Sequence, residues 1–81
     1  QNYPNPFNSA TSMNYFVPKT CHVFVAIYNL IGQKVATLVD EQKSAGVHQI
    51  AWDAKNFPDG IYFVKMITKE FSSVKKLLFV K

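Results

Sequence analysis

The side chains able to do chemistry are few and scattered. Two histidines (His22, His48), one cysteine (Cys21) and five carboxylates (Asp40, Glu41, Asp53, Asp59, Glu70) make up the ionisable inventory outside the lysines and tyrosines. A zinc site needs several Cys, His or acidic ligands at recurring short spacings, and neither histidine has such partners. His48 falls in an alternation with Ile50 and Trp52, which predicts a packed, hydrogen-bonded side chain. Ser9, Ser12, Ser44, Ser72 and Ser73 sit in no nucleophile-elbow context. The carboxylate pairs Asp40-Glu41 and Asp53/Asp59 lie in turn-like stretches, where Asp serves backbone hydrogen bonding more often than acid–base work. Three isolated glycines make no phosphate-cradling loop. A lone cysteine cannot form an internal disulfide, and Cys21 reads as a buried, inert thiol. The expectation is therefore no catalytic site, no metal and no cofactor.

The elements that would position these residues belong to one small domain. Eighty-one residues leave no room for a second core. With 48% hydrophobic and only 17% charged residues, the chain is too apolar for a disordered tail. The uncharged run over residues 20–33 contains His22, Asn29 and Gly32, which argues against a membrane-spanning helix. Near Gln1 there is no basic segment followed by an apolar one, so no signal peptide is expected, and a start without Met reads as part of a longer chain.

Charge is distributed unevenly. Through residue 60 the lysines and carboxylates cancel. Beyond it Lys65, Lys69, Lys75, Lys76 and Lys81 face Glu70 alone, which supplies the whole net charge of +4. Every cation is lysine. Without arginine the chain lacks the planar fork suited to bidentate base and phosphate recognition, and no nucleic-acid partner is expected. Lysines on edge strands also guard against unwanted strand pairing. Aromatics interleaved with lysines suit sugar or single-strand stacking, but a domain this small is expected to need most of its twelve aromatics for its core.

A period of two runs through almost the whole chain. Residues 12–17 place Met13, Tyr15 and Val17 on one side; residues 23–28 are apolar on both faces and read as a central strand. Asn29-Leu30-Ile31-Gly32 reads as a four-residue hairpin loop, with Gly32 free to take positive φ. Residues 34–39 return as its partner strand, 40–46 form a polar loop, and 47–52 are the next strand. Residues 37–44 have room for one helical turn but lack an apolar stripe. Residues 53–60 are dense in turn signals: Asp53 can accept from later backbone amides, and Pro58-Asp59-Gly60 fits a tight turn. Residues 61–68 and 71–80 complete the pattern. This predicts an all-β, immunoglobulin-like antiparallel sandwich of six to seven strands. Tyr62 falls where a tyrosine corner would bond back to the preceding turn, and Trp52, Ile50, Tyr62 and Val64 are expected to share the core.

One segment exceeds what a generic fold requires. In Asn2-Tyr3-Pro4-Asn5-Pro6-Phe7-Asn8 the two prolines impose an extended lead-in over residues 1–8 and leave Phe7 as a hydrophobic plug. This run resembles the opening of the C-terminal sorting domain of the type IX (Por) secretion system, type A. The resemblance continues through Tyr28-Asn29-Leu30-Ile31-Gly32-Gln33-Lys34-Val35. It resumes at Ala45-Gly46-Val47-His48, Trp52-Asp53-Ala54 and Pro58-Asp59-Gly60-Ile61-Tyr62-Phe63, and ends at Lys75-Lys76-Leu77-Leu78-Phe79-Val80-Lys81. Ser9 stands where such domains often carry Pro, and Lys65 where they commonly carry Arg.

The resemblance implies a single sorting domain over residues 1–81, non-catalytic, attached to an upstream cargo. It implies transit through the periplasm of a Gram-negative bacterium, recognition by the outer-membrane translocon, and then the cell surface or the medium. A sortase-like peptidase is the second implied partner. Lys75, Lys76 and Lys81 are the candidate translocon contacts. Tyr3, Pro4, Asn5, Pro6, Phe7, Gly32, Gln33, Gly60 and Tyr62 are motif positions expected to shape the fold. Two alternatives come from other classes. One is a surface-attachment or carbohydrate-binding module, if Tyr3, Tyr28 and Trp52 form an exposed row. The other is a structural subunit that self-associates by donating residues 2–7 or the last strand to a neighbour.

Overall fold

A computed structural model describes residues 10–79. Six strands follow in chain order: β1 (Ala10–Val17), β2 (Cys21–Tyr28), β3 (Lys34–Lys43), β4 (Gly46–Asp53), β5 (Gly60–Ile67) and β6 (Ser72–Phe79). They form two antiparallel sheets, a β1–β4 pair and a four-stranded sheet in the order β3–β2–β5–β6. The architecture is the expected all-β sandwich, and strand β2, apolar on both faces, is indeed central. The lead-in over residues 1–8 and the end of the final segment, with Lys81, lie outside the described residues.

Alternation explains which residues meet between the sheets. Val17, Val23, Val25, Val39 and Met66 form one buried cluster, with Tyr15, Ile50 and Val64 packed against it. Ile27, Trp52, Ala54, Tyr62 and Phe79 form a second, with Val64 again at its edge. The expected grouping of Trp52, Tyr62, Ile50 and Val64 is thus a core in two lobes, with Val64 touching both. Trp52 lies at the centre of the second lobe, its ring 5.0 Å from Tyr62, 5.5 Å from Phe57 and 5.8 Å from Phe79. The Tyr62 hydroxyl donates to the Pro58 carbonyl at 2.6 Å, which closes the tyrosine corner.

Four expectations need correction. Residues 40–43 are not loop: β3 continues to Lys43, with Phe24 opposite Asp40 and Cys21 opposite Lys43. An edge strand bordered by water tolerates such polar residues, and Lys43 reaches Glu41, two residues away on the same face, at 2.8 Å. The same extension excludes a helical turn at 37–44. The aromatics are not mostly core; among the described ones only Trp52, Tyr62 and Phe79 are buried, because β2 and β5 also carry aromatics on the outward side of their sheet. Cys21, at the start of β2, is half-buried rather than buried.

Candidate recognition surfaces

Two turns present the family-motif residues. In the β2–β3 hairpin, Asn29 organises the loop. Its side-chain oxygen accepts from the backbone N–H of Ile31 (3.2 Å) and Gln33 (2.9 Å), and its amide nitrogen donates to Gln33 Oε1 (2.8 Å). Gly32 closes the turn at φ +89°, with open space where a Cβ would stand, so its role is conformational rather than steric. Gln33 is therefore a turn residue, and Asn29 is the organiser that sequence reasoning passed over. Its signal was the Asn at the start of a loop, which bonds backbone amides two and four residues on. Between β4 and β5, Asp53 accepts from the Lys55 N–H at 3.1 Å, as its position predicts, and Gly60 opens β5 beneath the tyrosine corner. Tyr3, Pro4, Asn5, Pro6 and Phe7 lie outside the described residues.

The reactive side chains do not converge. His22 donates to Asp40 at 2.6 Å, and both side chains are largely exposed. His48 donates to the Ser44 carbonyl at 2.7 Å and stacks on Tyr15 at 5.4 Å between ring centres, the packed arrangement its spacing predicts. Among the described residues no group of three His, Cys, Asp or Glu is placed to hold a metal. A hollow of about 250 Å³ lies between the β1–β2 and β5–β6 turns, lined by Pro18, Cys21, Lys69 and Phe71. Its rim carries the Lys19–Glu70 ion pair at 3.3 Å.

The two candidate lysines of β6 face opposite ways. Lys75 pairs with Val64 and so shares the inward face; it lines a narrow gap of about 100 Å³ at the sandwich seam, beside Met13, Tyr15 and Met66. Lys76 pairs with Phe63 and stands on the outward face. Strand alternation makes this inevitable for neighbours in sequence. The seam also holds the Tyr15 hydroxyl, buried with no hydrogen-bond partner among the described residues, and burial pushes its pKa up. Nearby, the hydrogen bond between Lys43 and Glu41 holds the carboxyl below its usual range and the ammonium above its own. Trp52, at 3% exposure, cannot join Tyr28 in an exposed aromatic row, which removes the support for a carbohydrate platform built on it.

The arrangement is a small sandwich with ordered turns, dispersed titratable groups and lysines on an edge strand. The full chain, residues 1–81, matches the family described as the secretion system C-terminal sorting domain, and the protein belongs to that family. Membership makes it a type IX secretion sorting signal, associated with an upstream cargo and with export to the cell surface or extracellular space of Gram-negative bacteria. No curated protein and no solved structure matches the chain. No helix among the described residues is long and apolar enough to cross a membrane.

Proposed function

We propose that this domain is a non-catalytic signal, read as a folded unit by the type IX outer-membrane translocon after its cargo has reached the periplasm. A sortase-like peptidase then separates it from the cargo. The observation that carries this reading is the match of the whole chain to the sorting-domain family. The basic terminal strand supports it, since among the described residues β6 borders only β5 in its sheet, and its outer edge has no strand partner there. Lys75, Lys76 and Lys81 contribute to recognition in this reading.

The test is a fusion of residues 1–81 to a periplasmically exported reporter. In a type IX-competent cell the reporter reaches the surface; in an otherwise identical strain lacking the translocon it stays in the periplasm. Changing Lys75, Lys76 and Lys81 together to Gln lowers surface delivery while the melting temperature barely moves, because surface changes usually alter stability within ~0.5 kcal/mol each. Retention of the intact fusion in the periplasm of a competent strain refutes the sorting reading.

A further inference from the structure

The outward face of the four-stranded sheet is unusual for a surface bordered by water. Antiparallel sheets commonly pack one face on the core and present polar residues on the other. Here the outward pairs include Tyr28 with Phe63, Ile61 with Leu78, Phe63 with Lys76 and Lys65 with Val74. Val74 and Leu78 are 60% and 69% exposed, so among the described residues an apolar area, interrupted by Lys76, is left open to water. Beside the β2–β3 hairpin loop is a depression of about 300 Å³ lined by Tyr28, Leu30, Gly32, Phe63, Lys65 and Val74, with room for a side chain from outside.

Three cations stand on this face, one on each of three strands. Lys34 is opposite Tyr28 on β3 and lies over the Phe24 ring at 5.4 Å. Lys65 stands between Ala26 and Val74 on β5, and Lys76 on β6. None of the three forms an ion pair among the described residues. Asp40, the carboxylate on this face, is already held by His22.

We propose that this face docks a protein partner that inserts an apolar side chain into the depression and sets carboxylates against Lys34, Lys65 and Lys76. The inference rests on the sorting reading and names the surface through which the signal is read. A second copy of the chain is the poorer occupant, because a two-fold contact through this face brings its lysines toward lysines. A lipid surface is poorer too. Lys65 sits inside the apolar area rather than at its rim, so burying the face in acyl chains would desolvate an unpaired ammonium, whereas a partner's carboxylate would pair with it.

Two variants of the full chain, each fused to the exported reporter, test this. In the first, Lys34, Lys65 and Lys76 are changed to Glu. In the second, Val74→Glu sets a charge at the mouth of the depression. A control carries Glu at Lys19 and Lys55, in the β1–β2 and β4–β5 connections. Surface delivery falls about tenfold or more for both variants, the range expected when like charges meet across an interface, and stays near the unmodified level for the control. Melting temperatures of the isolated domains separate misfolding from lost docking. If either variant is unfolded, Lys34, Lys65 and Lys76 changed to Gln, which adds no repulsion within the sheet, decides in its place. Full delivery by folded variants overturns the docking face and leaves the sorting reading intact. Retention of the unmodified fusion overturns both. Co-sedimentation of the unmodified domain with vesicles containing phosphatidylglycerol, lost in the lysine variant, overturns the protein partner in favour of a membrane. A dimer in analytical ultracentrifugation that Val74→Glu dissociates overturns it in favour of self-association.

Discussion

The two lobes of the core are built on different principles. The lobe around Trp52 is aromatic and cross-braced: three rings surround the indole, and a hydrogen bond from Tyr62 to Pro58 ties the β4–β5 connection to the sheet. The lobe around Val25 is aliphatic, contains Val17, Val23, Val39 and Met66, and borders the seam gap between β1 and β6. Rings fill space with few rotatable bonds and favour defined mutual angles, so the first lobe specifies one geometry. Aliphatic side chains beside a gap have room to shift. The first lobe therefore anchors the sandwich, while the second is where the two sheets can adjust to one another.

The largest expected difference between the lobes is at Trp52. Trp52→Ala costs ~3–5 kcal/mol, the range for removing a buried large aromatic. Against a total stability of roughly 4–12 kcal/mol at ~0.05–0.15 kcal/mol per residue, that is a large share, so chemical denaturation finds the variant's midpoint sharply lowered. Met66→Ala, in the other lobe, falls toward the lower end of the ~2–5 kcal/mol range for such truncations, because its neighbours can close on a space already open at the seam. Equal losses at the two sites erase the distinction between a braced and a yielding lobe.

The two interior tyrosines sharpen the contrast on a smaller scale. Tyr62→Phe removes a hydroxyl bonded at 2.6 Å and costs about 1 kcal/mol in thermal unfolding. Tyr15→Phe removes a buried hydroxyl that has no partner among the described residues, so the melting temperature stays level or rises. A loss at Tyr15 as large as at Tyr62 refutes the assignment of the Tyr15 hydroxyl as unsatisfied.

The same contrast explains what was legible in the sequence. The turn that braces the aromatic lobe is local in origin: Trp52, Asp53, Pro58, Gly60 and Tyr62 fall within eleven residues, and their turn chemistry can be read without knowing that Ile27 and Phe79 pack against them. Strand existence was equally readable, because an alternation such as Tyr62, Val64 and Met66 needs only one buried face. The end of β3 was not. Asp40, Glu41 and Lys43 look like a loop because composition reports exposure, and an exposed edge strand has the composition of a loop. The outward apolar face was hidden for the opposite reason. Phe24 and Tyr28 look like core, and only the pairing of β2 with β5 shows that they share the side of the sheet that β1 and β4 leave uncovered. For the recognition residues, the sequence located Lys75 and Lys76 on the right strand; alternation, rather than charge count, separates them.

The smallest expected effect is the pH dependence of the yielding lobe, where Glu41, Lys43 and Tyr15 sense one another. Glu41 has a folded pKa below its unfolded value, so its contribution is full above the unfolded value of about 4.5 and is lost as pH falls through the folded one. Lys43 has a raised folded pKa, so its contribution is full below about 10.5 and is lost as pH climbs through the folded value. Burial raises the Tyr15 pKa, so the folded state resists tyrosinate, and Tyr15 adds to the alkaline loss with the same sign. Glu41→Gln therefore lowers the melting temperature slightly across the neutral range, flattens the acid limb and converges with the unmodified domain at low pH. Tyr15→Phe leaves the acid limb unchanged and flattens only the alkaline one, because the Glu41–Lys43 hydrogen bond survives it. Solvent screening keeps the Glu41–Lys43 share small, so added salt shrinks the Glu41→Gln difference while leaving the effect of Tyr15→Phe nearly intact. If salt abolishes both differences equally, the Tyr15 shift arises from the neighbouring charges rather than from burial, and the seam is wetter than its packing indicates.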